Sequence, residues 1–195
     1  MRRPAGPALH PNGPRLPALF LALAVLFAFA PAAVQAQVSR EYQVKAVFLF
    51  NFAQFVEWPP RAFGGDQEAL VIGVLGHDPF GAYLDEAVRG ETVHGRPLRI
   101  ERFRRAEDIR TCHVLYVSRS EAARLPQILS ALRGREILAV SDVEGFAGRG
   151  GAIQFVTERN KVRLRINVDA ARAAALTISS KLLRPAEIVS TGGGK

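Results

Sequence analysis

The chain has 195 residues, of which 48% are hydrophobic and 23% are charged. This balance excludes both an intrinsically disordered chain and a polytopic membrane protein, and the length suits one domain. The formal net charge is +8, from 26 Lys and Arg against 18 Asp and Glu. Because the basic residues form no run of five or six, the charge pattern does not indicate nucleic-acid binding.

The first 36 residues have the three parts of a secretory signal peptide. Three arginines and no acid accompany an apolar run over 16–30, and small residues follow over 31–36. We place the cleavage between Ala36 and Gln37, which predicts an exported protein. The alternative is a retained membrane anchor, but the apolar run is shorter than the roughly 20 residues that span a bilayer, and Pro31 ends it.

Downstream of the signal peptide, short apolar runs alternate with helical patterns. The expected strands are 69–75, 97–103, 113–117, 137–140, 152–157 and 161–167, and the expected helices are 39–57, 80–88, 121–132 and an alanine-rich helix from Asn167 or Asp169 to about Leu183. Strands alternating with helices predict an α/β fold with a mostly parallel five- or six-stranded sheet, flanked by helices on both faces. An antiparallel hairpin and a C-terminal helix complete it. We expect a single domain over residues 37–190 and a flexible tail over 191–195.

The sequence lacks the motifs of common catalytic and metal sites. It contains no Gly-x-Ser-x-Gly elbow and no Ser-x-x-Lys, and its histidines are not at metal-ligand spacing. Ser141 and Asp142 follow a buried strand, where a catalytic side chain would lie, but we interpret them as turn and cap residues. We therefore predict a protein that is not an enzyme, with no catalytic residue, metal or cofactor.

Cys112 is the only cysteine, so the folded chain has no internal disulfide. It begins the β-branched segment Cys112–Val117, which is typical of a buried strand. A buried, inert thiol is the favoured interpretation, and a reactive or intermolecular thiol is the alternative.

The first helix after the signal peptide carries more apolar surface than one buried face requires. At about 100° per residue, its core face comprises Tyr42, Ala46, Leu49, Phe52, Phe55 and Val56. Val47 and Phe50 fall instead among polar residues on the opposite arc, with Glu57 and Trp58 close by. Either another element of the same chain covers Phe50, or these four residues form a protein–protein surface, where aromatic anchors ringed by polar groups are common.

Arg163 and Arg165 are two further candidates for partner binding. They alternate with apolar residues on the second arm of the predicted hairpin, so they lie on its solvated side. An acidic partner or a small anion would suit them. The alternative is a charged edge that discourages the addition of further strands.

Five segments of the chain together resemble the YfiR family. They are Glu41–Pro59, Cys112–Val117, Gly151–Phe155, Val162–Asn167 and Ile178–Leu183, in the family's order and spacing. The resemblance runs through almost all of residues 37–190. It implies a periplasmic protein of Gram-negative bacteria with an α/β sandwich fold.

The resemblance also implies a regulatory function. Members such as YfiR and HmsC hold an inner-membrane diguanylate cyclase inactive by binding its periplasmic domain, which keeps cyclic di-GMP and biofilm formation low. An outer-membrane lipoprotein sequesters the repressor, and members form homodimers. Some members carry redox-responsive disulfides. This chain differs from them, because Cys112 has no second cysteine with which to pair.

A periplasmic small-ligand-binding sensor or carrier, without direct contact to a cyclase, is the alternative function. In an open α/β sheet, ligands bind outside the carboxyl ends of the strands. In this chain that crevice would lie near Gly76–Phe80 and Ser141–Gly145.

Overall fold

The computed structural model describes the backbone of residues 30–192 and the side chains of residues 40–192. Most of the predicted signal peptide lies outside the described residues, and Ala36 and Gln37 lie in a helical stretch whose side chains are not described. By their contacts, residues 39–195 form a unit separate from residues 1–38, and the fold below is that of this unit. Within the described part of the chain, no helix is long and apolar enough to cross a bilayer.

Five helices and ten strands make up the described chain. The helices are α1 (Ala30–Phe55), α2 (Ala82–Val88), α3 (Leu125–Ala131), α4 (Val168–Ala173) and α5 (Ser180–Leu183). The strands are β1 (Val56–Glu57), β2 (Leu70–Leu75), β3 (Thr92–Val93), β4 (Arg96–Phe103), β5 (Val114–Val117), β6 (Leu138–Ser141), β7 (Ile153–Glu158), β8 (Lys161–Asn167), β9 (Thr177–Ile178) and β10 (Glu187–Val189). Short 3-10 helices lie at Pro60–Ala62, Ala106–Asp108, Arg119–Arg124 and Ala147–Arg149.

Eight of the strands form the main sheet, in the order β10-β8-β7-β6-β5-β2-β4-β3. The central strands β7, β6, β5, β2 and β4 run parallel, whereas β8 is antiparallel to β7 and β3 is antiparallel to β4. The α/β class and the mostly parallel sheet are thus confirmed. The strand count of five or six is too low, because β3 and β10 are edge strands of two and three residues, too short to give a sequence pattern.

The predicted hairpin is formed by β7 and β8. Their pairing runs from Ile153 opposite Ile166 to Glu158 opposite Lys161. Arg159 and Asn160 connect them with φ of 48° and 61°, the positive values of a two-residue type I′ turn.

Apolar side chains cover both faces of the sheet, as predicted. On one face, α1 and α2 pack against alternate residues of the strands, and the core there includes Leu49, Phe52, Leu84, Ile72, Tyr116, Val140 and Leu164. On the other face, α3 packs against the residues between, and that core includes Leu115, Val117, Leu125, Ile128 and Phe146. Cys112 is buried in this second cluster, and burial raises the pKa of its thiol to about 12.

The alanine-rich helix predicted to reach about residue 183 is wrong as a single element. Asn167 caps α4 by accepting a hydrogen bond from the Ala170 N–H at 2.9 Å, but α4 ends at Ala173. Ala175 then takes a φ of 56°, and β9 pairs with β1 in antiparallel register before α5 begins. The hydrogen bonds to β1 thus override the helix propensity of the alanines.

The first two residues of the predicted tail are hydrogen-bonded to the domain. The hydroxyl of Thr191 lies 2.9 Å from the Asn167 side-chain amide, and the Gly192 N–H donates to the Gly148 carbonyl at 3.0 Å.

Candidate functional site

The outer face of α1, opposite the sheet, combines exposed valines with polar side chains. Val47 is 52% exposed and Val44 is 46% exposed, values that are high for large apolar residues. Gln54, seven residues after Val47, is also exposed on this face. We use "outer face of α1" for Gln43, Val44, Val47, Phe50, Asn51 and Gln54.

Phe50 is more covered than the helical pattern alone indicates. It is half-buried and packs against the core cluster between α1 and the sheet. Of the two interpretations of Phe50, cover by the same chain is therefore correct for part of the ring. Val47 remains the more exposed of the two.

Glu57 and Trp58 follow α1 directly, at the start of the connection to the sheet. Glu57 is exposed in β1, opposite Thr177 of β9. Trp58 is half-buried, and its ring meets the His113 ring edge-on at 6.2 Å between centroids. Its indole N–H is buried and has no hydrogen-bond partner within residues 40–192.

Arg163 and Arg165 lie on the other side of the sheet from α1. Leu164 and Ile166 alternate with them and belong to the core beneath α1, so the arginines point to the opposite face. Arg163 is exposed, and Arg165 binds Glu187 of β10 at 2.8 Å. The structure therefore does not bring the two sets of predicted partner-binding residues together.

A buried polar network, missed at the sequence level, joins α1 to the carboxyl ends of the central strands. At its centre, one Asp142 oxygen accepts hydrogen bonds from the Lys45 ammonium at 2.6 Å and the Tyr42 hydroxyl at 2.9 Å. The Arg119 guanidinium lies 3.2 Å from the same oxygen, and the other oxygen accepts from the Tyr116 hydroxyl at 2.7 Å. Four donors from α1, β5 and the following 3-10 turn thus converge on one carboxylate.

Each buried charge of the network has a partner of opposite charge. The Lys45 side chain is fully buried and the Asp142 side chain is 1% exposed, and Glu41 gives Lys45 a second carboxylate at 2.5 Å. Burial by itself raises the pKa of Asp142, but the charge and hydrogen bond of Lys45, then the Tyr116 hydroxyl and Arg119, outweigh it and lower the pKa. Asp142 is therefore ionised at neutral pH.

Both tyrosines of the network stay protonated. Burial, then the charge of Asp142, raises the pKa of Tyr42 to about 12 and raises the pKa of Tyr116 as well. A fully paired carboxylate and two protonated hydroxyls offer no free base to a substrate. The network anchors α1 to the sheet.

Ser141 and Asp142 differ in what they do. Ser141 accepts a hydrogen bond from the Val143 N–H at 3.0 Å and donates to the Val117 carbonyl at 2.6 Å, which is the turn role that we expected. Asp142 is the acceptor of an ion pair and not a simple cap. The sequence does contain an indication of this ion pair. Lys45 lies on the apolar face of α1, and a buried ammonium requires a carboxylate partner.

Side chains fill the strand-end crevice considered for a small ligand. The Phe80 ring meets Tyr42 edge-on at 5.5 Å and Tyr116 at 4.7 Å. The Asp78 carboxylate accepts the Phe80 N–H at 2.7 Å, so the loop at Gly76–Phe80 is an ordinary strand-to-helix turn. Within residues 40–192, no group of three or more His, Cys, Asp or Glu side chains has the arrangement to hold a metal ion.

The fold and the site together define a three-layer α/β domain with a partly apolar outer helix anchored by buried charges. The sequence profile described as YfiR/HmsC-like matches residues 42–187, and the chain belongs to this family. A comparison with curated proteins finds no match.

Proposed function

We propose that the protein is a periplasmic regulatory binding protein that represses an inner-membrane diguanylate cyclase by binding its periplasmic domain. Repression would lower cyclic di-GMP and biofilm formation. The observation that carries this proposal is the family match over residues 42–187, which covers the main sheet as far as the first residue of β10 and every helix from the core-facing part of α1 onward. The proposed action is binding alone, without a chemical step.

The outer face of α1 is the proposed contact with the cyclase. Its exposed valines among glutamines have the apolar centre and polar rim of a protein–protein interface. Anchoring by Lys45 and Asp142 keeps this face in a fixed orientation, which reduces the entropy lost on binding. We assign partner contact to Val47 and Phe50 on this face, and to Glu57 and Trp58, which follow α1.

The arginine face of the hairpin is a separate surface, and we assign it to a second partner. Arg163 is exposed there, and Arg165 shares its charge with Glu187. An acidic segment of an outer-membrane lipoprotein suits this surface. Because the two surfaces lie on opposite sides of the sheet, one partner need not block the other sterically.

Export is part of the proposal. Cleavage between Ala36 and Gln37 would leave the domain of residues 37–190 free in the periplasm, where it meets the periplasmic domain of the cyclase. We also propose that the exported protein forms a homodimer.

The test is the level of cyclic di-GMP in living cells. Deletion of the gene should raise cyclic di-GMP, and a plasmid copy of the wild type should restore the low level. The variant Val47→Asp should restore it poorly, because it places a charge at the proposed contact, whereas Gln127→Asp, exposed on α3 across the sheet, should restore it fully. Unchanged cyclic di-GMP in the deletion strain would contradict the proposal.

A further inference from the structure

His113 makes two hydrogen bonds that together require a neutral ring. Its Nδ1 accepts the backbone N–H of Val71 at 3.0 Å, and its Nε2 lies 3.1 Å from the backbone carbonyl of Ala62. A backbone N–H only donates and a carbonyl only accepts, so the single ring proton must be on Nε2. The residue is 1% exposed, so in this conformation water cannot replace either hydrogen-bond partner of the ring.

The same ring supports the connection between β1 and β2. It stacks on Phe63 at 4.4 Å between centroids and meets Trp58 edge-on at 6.2 Å. The Arg96 guanidinium lies 3.9 Å from the centre of the Phe63 ring. We call residues 58–65 the tryptophan segment; His113 contacts it through two rings and one hydrogen bond.

We propose that His113 is an acid-sensitive latch, which holds the tryptophan segment on the sheet while neutral and releases it when protonated. A proton on Nδ1 would point at the Val71 N–H, so two donors would face each other at 3.0 Å and one buried donor would lose its acceptor. The positive ring would also lie against Phe63, which already carries Arg96. Movement of the segment away from the ring relieves the second conflict and uncovers the ring, which can then turn away from the Val71 N–H and relieve the first.

The groups around the ring shift the pKa of His113 in opposite directions. Burial lowers the pKa of His113, the hydrogen bond to the backbone carbonyl and the charge of Glu68 oppose this, and Arg96 lowers the pKa further, with a net lowering. Arg61 of the tryptophan segment is paired with Glu136, ahead of β6, at 2.7 Å. Cys112 faces the other core cluster and is un-ionised.

The direction of the pH effect follows from the lowered pKa. A released, solvated histidine has its ordinary pKa of about 6.5 and binds the proton more readily than the latched one. The latched conformation is therefore fully favoured above about pH 6.5 and loses stability as the pH falls below it. An exported domain meets the acidity of the medium, so this range is relevant to it.

The consequence for partner binding rests on the proposed function, although the latch itself does not. The tryptophan segment begins directly after Glu57 and includes Trp58, two of the proposed contacts with the cyclase. Release of the segment would displace Trp58 and weaken binding, which would relieve repression in acid.

Trp58 is the only tryptophan of the chain, so its fluorescence reports on the latch directly. The purified protein should show a reversible change in tryptophan emission between pH 8 and pH 5, with a midpoint below about 6.5. The variant His113→Asn should abolish the change, because asparagine accepts and donates without titrating. The variants His77→Asn and His94→Asn, which alter exposed histidines, should keep it. A flat wild-type profile, or a transition that persists in His113→Asn, would overturn the latch.

Hydrogen exchange of the wild type supplies a test that does not depend on the variant folding. After correction for the intrinsic rate, protection of the Val71 amide should fall severalfold from pH 7.5 to pH 5.5, up to the limit of about tenfold that one group with a released pKa of about 6.5 allows, while the Val140 amide in β6 keeps its protection. Equal protection of Val71 at both pH values would overturn the latch. A tryptophan transition without binding to the cyclase domain at any pH would overturn the proposed function and support the latch.

Discussion

At the residue scale, the most informative feature is the ion pair of Lys45 and Asp142 in the layer between α1 and the sheet. Both side chains are almost completely excluded from solvent, and the distance between them is 2.6 Å. Removing one partner of a buried pair leaves an uncompensated charge, which typically costs about 3–5 kcal/mol. The position of Lys45 on the apolar face of α1 indicates a buried charge that needs a partner. The sequence does not identify that partner, because Asp142 is 97 residues away along the chain.

The variant Asp142→Asn should therefore lower the free energy of unfolding at pH 7 by about 3 kcal/mol, at the lower end of this range because Glu41 still contacts Lys45. The folded-state pKa of Asp142 is lowered, so its contribution is present above the unfolded pKa of about 3.8 and is lost as the pH falls through the folded pKa. Urea unfolding at pH 7 and pH 3 should show the difference between wild type and variant shrinking in acid.

The matched control is Asp169→Asn, whose carboxylate is exposed and pairs with Arg172 at 3.4 Å. Exposed pairs contribute about 0–1 kcal/mol, so this variant should remain close to the wild type at both pH values. An Asp142→Asn protein with wild-type stability at pH 7 would show that the network does not anchor α1.

At the scale of elements, the loop between β6 and β7 illustrates how close packing fixes a connection. The segment 145–151 contains four glycines and the 3-10 turn Ala147–Arg149. A Cβ at Gly151 would overlap the ring of Phe146, which is completely buried, whereas a Cβ at Gly148 would meet nothing within 4 Å. A side chain is therefore accommodated at Gly148 but not at Gly151, although the two glycines are only three residues apart.

The variant Gly151→Ala should cost about 1–3 kcal/mol, because the buried ring has to shift to admit one methyl group. For a domain of this size, thermal denaturation should show a fall in Tm of roughly 2–12 °C. Gly148→Ala should leave Tm unchanged within a few degrees. Equal Tm values for the two variants would mean that Phe146 does not constrain the loop.

The elements that sequence reasoning missed share a physical cause. Strands β1 and β9 have two residues each and gain their hydrogen bonds from a pairing across more than 100 residues. Such short segments carry no periodicity, and the helix-favouring alanines before β9 suggest the opposite conformation. The long buried strands β2, β5 and β6, by contrast, were predictable because continuous apolar runs of four to six residues characterise a parallel sheet covered on both faces.

At the scale of the whole molecule, the layer architecture followed from the sequence, whereas the grouping of the candidate contacts did not. Helical periodicity placed Val47 correctly on the outside of α1, and strand alternation placed Arg163 on the solvated side of the hairpin. These residues lie on opposite sides of the sheet because Leu164 and Ile166 of β8 face α1. The sequence alone does not determine which face of β8 packs against α1. The two sets of candidate contacts are therefore two separate surfaces.

We propose that the outer face of α1 binds the periplasmic domain of a diguanylate cyclase. We would test it by a binding titration between the purified protein and that domain from the same organism, by calorimetry at pH 7.5. We expect a saturable complex that Val47→Asp weakens at least tenfold and that Gln127→Asp leaves unchanged. A wild-type protein that does not bind the domain, or a complex equally tight with Val47→Asp, would contradict it.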